Sequence, residues 1–194
     1  DHIRCLNTQA AIALNRSSGR TDGLSERSIN DDDIYQVLDL AQAVSLPVDR
    51  DILHTLPQEY LVDTLKEIKN PIGMTGRRLE GRVHLVTAAT TAMKNLVSCV
   101  EELGITVDGL VFQPLASALA TLHEDEMELG VTLVEIGSST TNIAVYHGSA
   151  VRHSAIIPIG SSSITNDIAV MLQISIDEAE KIKMKYASAR ASMS

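Results

Sequence analysis

The stretch EIGSSTTNIAVY, from Glu135 to Tyr146, decides the fold of this 194-residue chain. It follows an apolar, β-branched run, Val131 to Val134, and it ends before the pair His147-Gly148. Apolar runs on either side of small polar residues predict a strand, a tight loop, a second strand and a second turn. The function of this region therefore depends on the loop between the two strands.

The loop is rich in small residues and hydroxyl groups, which suit it to bind an anion. Successive backbone N–H groups can form an anion-binding nest, and the hydroxyls of residues 138–141 are further donors. Glu135, at the end of the first strand, would lie beside a bound phosphate–metal cluster. An ordinary hairpin with a Gly-Ser turn has the same local pattern and is very common. On the loop alone the hairpin is favoured, and the rest of the chain decides between the two interpretations.

The composition indicates a globular protein and argues against nucleic acid as a partner. Hydrophobic residues make up 44% of the chain, charged residues make up 21%, and the formal net charge is −9. No basic cluster exceeds a few residues, so the electrostatic footprint of a nucleic-acid-binding surface is missing from the sequence. The six histidines show no ligand spacing, and no metal-ligand set is predicted.

Other sequence signals narrow the class of protein further. Cys5 and Cys99 lie far apart and are predicted to be buried thiols in a reducing compartment. No apolar run approaches the length of a membrane span, and no signal peptide is visible. No nucleophile, base and acid form a catalytic pattern, so no catalytic residue is predicted. The chain lacks an initiator Met and begins inside a predicted strand, which indicates a piece of a longer protein.

The first part of the chain is predicted to be a small α+β module. Asn30 is a good N-cap with Asp33 at the third helical position, and Pro57 suits a strand edge or a bulge. Alternating and helical spacings of apolar residues define the elements. The predicted order is strand, loop, helix, strand, loop and strand, over residues 3–14, 16–26, 31–44, 52–62, 69–74 and 82–88.

The second part alternates helices with strands and predicts a mixed α/β layer. Gly104 is a predicted helix C-cap, Pro114 opens a helix at its first position, and Ser175 with Glu178 forms a capping box. The predicted helices cover 93–103, 114–122, 164–172 and a last helix after Ser175. The predicted strands cover 110–112, 131–134, 143–146 and 151–159, with an acidic loop at 124–128.

Five further motifs connect these elements to a known family. They are HTLPQEY (54–60), IKNPIGMTG (68–76), QPLASA (113–118), DEMELGV (125–131) and IPIG (157–160). On these motifs the chain resembles the FtsA family of bacterial cell-division proteins, which are actin-like proteins that bind ATP. The combination of HxxPQEY with IKxPxGMxG is highly specific, and the resemblance covers nearly the whole chain.

The resemblance implies an α/β fold of the actin/Hsp70-like (ribonuclease H-like) type with an α+β subdomain, present here as a fragment. Residues 1–87 resemble the FtsA-specific small subdomain, which makes protein contacts. Residues 88–122 resemble a returning part of the first large actin-like subdomain, and residues 123–194 the start of the second large subdomain with its phosphate loop. The family's first phosphate loop, its FtsZ-tail-binding subdomain and its C-terminal amphipathic membrane helix would lie outside this chain.

The opening loop resembles the family's second phosphate loop, whose usual pattern is DIGGGTTD. Ser138 and Ser139 replace glycines, which restricts the backbone and crowds a phosphate. Glu135 replaces Asp and is predicted to lie next to a metal, whereas Asn142 replaces an acid and carries no charge. The predicted phosphate-binding residues are Gly137, Ser138, Ser139, Thr140, Thr141 and Asn142.

Two residues of the last helix complete the predicted site. Glu180 and Lys183 lie three apart, hence on one helical face, and match the family positions that contact ribose and adenine. An ordinary surface ion pair is the alternative interpretation of the same spacing.

The resemblance also implies ligands, partners and a location. ATP and Mg²⁺ would bind the full-length protein as structural or switching ligands, and turnover would be slow at most. A stretch without the first phosphate loop would bind ATP poorly. The protein would tether FtsZ to the membrane, recruit later division proteins through residues 1–87 and self-associate into filaments. It would be cytoplasmic and peripheral on the inner face of the cell membrane at the division site.

Two alternatives stay open on the sequence. Actin-like folds also serve sugar kinases and other ATPases, although no sugar pocket or catalytic Asp is visible here. A pilus-assembly relative of FtsA is the other alternative, and the PQEY and IKxPxGMxG motifs argue against it.

Overall fold

The computed structural model describes residues 2–14 and 27–190. The predicted loop over residues 16–26 lies outside the described residues. The chain divides into two units, which are Asp1–Leu133 with Ala144–Ala155, and Val134–Ile143 with Ile156–Ser194.

The described residues form runs of strands separated by runs of helices, and most of these elements follow the order that the sequence predicts. The strands are β1 (Ile3–Ala13), β2 (Arg27–Ser28), β3 (Arg50–Val62), β4 (Leu65–Ile68), β5 (Thr75–Gly76), β6 (Arg78–Ala89), β7 (Val131–Ile136), β8 (Thr141–His147) and β9 (Ala150–Ile157). The helices are α1 (Asp31–Gln42), α2 (Thr90–Glu101), α3 (Gln113–Thr121), α4 (Glu124–Leu129), α5 (Ser161–Leu172) and α6 (Ile176–Tyr186).

The first unit is built on strand β6. In the described residues it pairs antiparallel with β1 on one side and with β3 on the other, in the order β1-β6-β3-β4. Leu79, Val83 and Leu85 of β6 are fully buried, as expected for a strand that is paired on both edges. The register of β3 shifts just after Pro57, which confirms that this proline lies at a bulge.

Helix α1 packs on this sheet and begins where its sequence predicts. Asn30 is the N-cap, and its side chain accepts from the backbone N–H of Asp33 while the Asp33 carboxylate accepts from that of Asn30. Arg27 forms an ion pair with Asp33, and this guanidinium holds the pKa of the carboxyl below its usual range. Val37 and Ala41 then bury one helical face against β1 and β6.

A buried polar network joins β6 to β9 within the first unit. The side-chain N–H of Asn7 donates to the Arg152 carbonyl at 3.0 Å. The side-chain oxygen of Asn7 therefore faces His84 Nδ1, at 2.5 Å. His84 Nδ1 therefore carries the proton and donates, so Nε2 accepts from the Ser154 hydroxyl at 2.7 Å. Burial first, and then the nearby His153, lowers the pKa of His84 to about 4. The ring is therefore neutral at physiological pH and acts as a structural group.

The PQEY motif has a physical role in the same unit. Gln58 donates to the carbonyls of Val151 and Arg152, at 2.7 and 3.2 Å. Glu59 accepts from the guanidinium of Arg82 at 2.8 Å, and its other oxygen lies 3.8 Å from that of Arg152. The motif thus attaches the sheet of residues 1–87 to the hairpin segment 144–155.

Strands β7, β8 and β9, which correspond to the strands predicted at 131–134, 143–146 and 151–159, hydrogen-bond in that order among the described residues. Helices α5 and α6 pack on each other in the second unit, where Ala169 and Ala179 are buried. The Ser175 hydroxyl accepts from the Glu178 N–H and caps α6 as predicted. The Glu178 carboxylate accepts from the Ser175 hydroxyl, and not from the Ser175 backbone N–H as in a capping box.

Several predictions about the region before β7 are wrong. Residues 110–112 form no strand, and the predicted acidic loop is helix α4, which starts where the Glu126 carboxylate accepts the His123 N–H at 2.9 Å. Gly104 has a φ of +79° but lies two residues beyond the actual C-cap, Glu102. The errors at residues 110–112 and in α4 have the same cause, because a short apolar or acidic run does not by itself determine helix or strand.

Two burial predictions also need correction. Cys99 is exposed rather than buried, and Cys5 is only half-buried. The apolar residues predicted on one face of α2 are not fully buried, since Met93, Val97 and Val100 are half-buried and Leu96 is exposed. Over residues 2–14 and 27–190, no helix is long and apolar enough to cross a membrane.

Stability should fall in mild acid because of His84. Its pKa in the folded protein is about 4, against an ordinary value of 6.5, so the unfolded chain binds a proton first as the pH falls. The stabilisation is complete above pH 6.5 and is lost between there and about pH 4. We expect the free energy of unfolding to decrease by up to about 3 kcal/mol over this range.

Urea unfolding followed by circular dichroism, at half-unit steps from pH 7.5 to 4.5, measures this effect. His84→Gln should remove most of this pH dependence, whereas His2→Gln, at an exposed histidine, should keep it. An unchanged slope in His84→Gln would contradict the assignment.

Candidate functional site

The loop between β7 and β8 has the compact shape that its sequence predicts. Strand β7 ends at Ile136 and β8 begins at Thr141. The backbone N–H of Gly137 donates to the Thr140 carbonyl at 2.8 Å and closes the loop on itself. The predicted succession of strand, tight loop and strand is therefore confirmed.

The first turn of α5 lies directly against this loop. The backbone N–H groups of Ser161 and Ser162 donate to the carbonyls of Gly137 and Ser138, each at 2.9 Å. The hydroxyls of Ser138 and Ser162 are 2.6 Å apart. A Cβ atom at Gly160 would lie 2.4 Å from the Ser138 oxygen and 2.6 Å from the Gly137 oxygen, so only glycine fits there.

Two of the four hydroxyls of residues 138–141 bond to the protein itself. The Thr141 hydroxyl donates to the Ile159 carbonyl at 2.8 Å, and Ser138 is engaged with Ser162. These two hydroxyls therefore shape the loop, and an anion would depend on its backbone N–H groups and on the hydroxyls of Ser139 and Thr140.

Glu135 and Asn142, which both depart from the family pattern, form a pair with each other. The Asn142 side-chain amide donates to Glu135 Oε2 at 3.3 Å, and Asn142 is 7% exposed. Two carboxylates at this distance would repel each other, whereas an amide and a carboxylate attract. The two substitutions are thus physically matched, a relation that the sequence pattern alone did not indicate.

Glu180 and Lys183 lie together on α6 and contact α5. The Lys183 ammonium is 2.7 Å from Glu180 Oε2, and it donates to the Thr165 hydroxyl at 2.8 Å and to the Ser161 carbonyl at 3.3 Å. The Thr165 hydroxyl is 2.5 Å from the same Glu180 oxygen. Lys183, and then Thr165, lowers the pKa of the Glu180 carboxyl by stabilising its charged form.

One turn of α5 therefore connects both parts of the predicted site. The N–H of Ser161 bonds to the loop, and the carbonyl of Ser161 accepts from Lys183. Thr165 bonds to the Glu180–Lys183 ion pair. Gly160, Ser161 and Thr165 were not predicted as site residues. The IPIG motif could have indicated Gly160, whereas Thr165 left only a weak signal, a hydroxyl four residues after Ser161.

These residues fit the phosphate groups of a nucleotide. Backbone N–H groups of such a loop are of the kind that bind a phosphate, and Glu135 has a carboxylate oxygen of the kind Mg²⁺ prefers. Gly160 allows the first turn of α5 to lie against this loop. Across residues 2–14 and 27–190, no three His, Cys, Asp or Glu side chains cluster as metal ligands.

The fold places the chain in a class of proteins. It is similar to a chain of the PilM-PilN type IV pilus biogenesis complex, with a TM-score of 0.64 over 95% of this chain and 48% of that chain. The sequence identity is 13%, so this likeness shows the fold alone. The chain has an actin-like α/β fold, which confirms the predicted fold class.

The sequence comparisons identify the family. Residues 1–87 match the model described as "SHS2 domain inserted in FtsA", and residues 132–194 match "Cell division protein FtsA". Together these matches cover more than half of the chain. The chain belongs to the FtsA family of cell division proteins.

Curated relatives agree along the whole chain. Cell division protein FtsA of Pseudomonas aeruginosa is 45% identical over 100% of this chain and 44% of the relative. The proteins of the same name from Neisseria meningitidis and Escherichia coli are 41% and 38% identical, over 97% and 99% of this chain and 43% of each relative. The chain thus spans less than half the length of these relatives. The predicted family is confirmed, while the domain boundaries and the roles of the site residues stay predictions.

A side chain at position 160 should disrupt the contact between the loop and α5. Gly160→Ala places a Cβ inside the van der Waals distance of two carbonyl oxygens, so the backbone must shift. We expect the amide protons of Ser161 and Ser162 to exchange at least tenfold faster, with a loss of about 1–3 kcal/mol in stability.

Hydrogen exchange measured by nuclear magnetic resonance checks this result residue by residue. Gly109→Ala is the matched control, because a Cβ there meets nothing within 4 Å. Unchanged exchange at both serines in Gly160→Ala would show that the loop tolerates the extra atom.

Proposed function

We propose that this chain is part of an actin-like cell-division adaptor that holds ATP through residues 137–142, with Glu180 and Lys183 at the nucleoside end. One observation carries the proposal: the first turn of α5, from Ser161 to Thr165, contacts the loop on one side and the Glu180–Lys183 pair on the other. A nucleotide has phosphates at one end and a sugar and base at the other. Two polar groups joined by one rigid turn suit such a ligand.

ATP binding at this loop depends on backbone geometry more than on side chains. Serine at positions 138 and 139 adds a Cβ but leaves the N–H groups of the nest in place. Gly137 keeps the turn tight, and a Cβ there would lie 3.1 Å from the Thr140 oxygen. When bound, ATP supplies the triphosphate charge that the nest would stabilise. Mg²⁺ would be held beside Glu135.

Slow turnover follows from the charges at this site. Hydrolysis requires a positioned water and a metal held firmly as charge moves between phosphate oxygens. Asn142 can orient water through its amide but offers no negative charge, and that amide already donates to Glu135. The nucleotide then serves as a structural or switching ligand rather than as a rapidly consumed substrate.

The adaptor role rests on the family to which the chain belongs. We infer that the full-length protein tethers FtsZ to the cell membrane, forms filaments and acts on the inner face of that membrane at the division site. In this proposal, residues 1–87 recruit later division proteins. Family membership supports a role in cell division, and each finer partner assignment is our proposal.

The alternatives receive less support. The fold is shared with a pilus biogenesis protein at 13% identity, whereas the division proteins are 38–45% identical along nearly the whole chain. No observation among the described residues favours a sugar kinase.

A loop restored to the family pattern should hydrolyse ATP faster. In the full-length protein, Ser138→Gly with Ser139→Gly and Asn142→Asp returns two glycines and an acid. Loss of one well-placed electrostatic contact costs about 10²–10³ in rate in other enzymes, so we expect a rate gain approaching that size. Phosphate release under single-turnover conditions measures it, and isothermal titration measures ATP affinity.

The structure adds a control to this experiment. Asn142→Asp alone places two carboxylates in contact, so it is tested with and without Glu135→Asp, the shorter family residue. The double glycine variant with Asn142 retained separates crowding from charge. If every restored loop turns over ATP at the original rate with unchanged affinity, these substitutions do not limit turnover.

Residues 1–87 should be separable from nucleotide binding. Deleting them from the full-length protein should leave ATP affinity within about threefold while abolishing recruitment of later division proteins, because this region has no phosphate loop. A milder variant, Asp39→Lys on the exposed face of α1, should weaken recruitment and leave ATP affinity unchanged. Titration of ATP and septal localisation of a labelled late division protein give the two readouts, and loss of ATP binding with recruitment intact contradicts the assignment.

A further inference from the structure

The hydroxyl of the buried residue Thr165 forms one corner of a triangle of three polar groups. Thr165 lies four residues after Ser161, the first residue of α5, and is 3% exposed. Its Oγ1 is 2.5 Å from Glu180 Oε2 and 2.8 Å from Lys183 Nζ, and those two atoms are 2.7 Å from each other. The pattern of the phosphate loop does not include this residue.

The direction of each hydrogen bond follows from the chemistry of the three groups. An ammonium only donates and an ionised carboxylate only accepts, so Thr165 accepts from Lys183 and donates to Glu180. Lys183 also donates to the Ser161 carbonyl, and its side chain is only 14% exposed. Lys183 is therefore committed to α5.

Glu180 has the complementary position. Its side chain is 44% exposed, and the bonds from Thr165 and Lys183 both reach Oε2. A carboxylate held by two donors at one oxygen has a fixed orientation, and it still accepts hydrogen bonds from solvent or a ligand.

We propose that Thr165 is a positioning residue that holds the Glu180 carboxylate to accept a hydrogen bond from a ribose hydroxyl, and so makes the site selective for ribonucleotides. This inference rests on the proposed nucleotide function. A fixed acceptor discriminates because a deoxyribose leaves it without its partner, whereas a freely rotating carboxylate turns to water instead.

The experiment compares the affinities of the full-length protein for ATP, 2′-deoxy-ATP and 3′-deoxy-ATP by isothermal titration. The wild-type protein should bind ATP about tenfold more tightly than at least one deoxy analogue, the expected effect of one hydrogen bond to a charged group. Thr165→Val should bring that ratio close to one, chiefly by weakening ATP. Thr165→Ser, which keeps the hydroxyl, should retain the ratio.

Two further variants keep the test decisive. Thr165→Ala removes the hydroxyl with a better helix former, in case valine prevents folding, and thermal unfolding verifies each protein. Ser163→Ala removes an exposed hydroxyl of the same helix and should behave as wild type.

The outcomes separate the inference from the function on which it rests. Equal weakening of all three nucleotides in Thr165→Val and Thr165→Ala would assign Thr165 a merely structural role and overturn the inference. A wild-type protein that binds the three nucleotides equally would overturn the inference and leave nucleotide binding standing. A wild-type protein that binds none of them would overturn both.

Discussion

The candidate site depends on a close backbone contact that only a glycine at position 160 permits. The first turn of α5 approaches the loop so closely that its N–H groups bond to loop carbonyls, and a Cβ at position 160 would overlap two of those oxygens. This backbone contact fixes where α5 begins relative to the loop. Through Ser161 and Thr165 it also determines where α5 meets α6. The relation between the β7–β8 loop and the Glu180–Lys183 pair is therefore set by main-chain packing, which tolerates changes in the loop side chains.

The family motif PQEY acts on a different part of the molecule. Its glutamine and glutamate bind the segment 144–155 through a pair of carbonyls and an arginine, while Tyr60 lies in the core of the sheet. Nearby, the neutral His84 accepts from Ser154 and donates to Asn7. Buried polar contacts of this kind require defined partners, because each unpaired group would cost about 1–3 kcal/mol. The insertion of residues 1–87 is thus attached in one register by polar groups rather than by apolar packing alone.

The departures of the loop from its family pattern are coordinated. Asn142 carries no charge, and its amide donates a hydrogen bond to the Glu135 carboxylate. Ser138 restricts the backbone more than the glycine of the family pattern, but its hydroxyl bonds to that of Ser162. These pairs hold the loop through contacts within the protein itself.

The sequence alone determined the elements with strong local signals and the family itself. The N-cap of α1, the bulge at Pro57 and the loop between β7 and β8 follow from capping, proline and turn chemistry, which act over a few residues. Local signals failed where runs were short, at residues 110–112 and in α4, because neighbouring structure decides such segments. Only the tertiary structure revealed the roles of Gly160 and Thr165 and the pairing of Glu135 with Asn142. Each of these depends on a distance between groups 7–23 positions apart in sequence, such as Gly160 and Gly137 or Thr165 and Glu180. No periodicity or motif encodes such a distance, since packing alone brings the groups together.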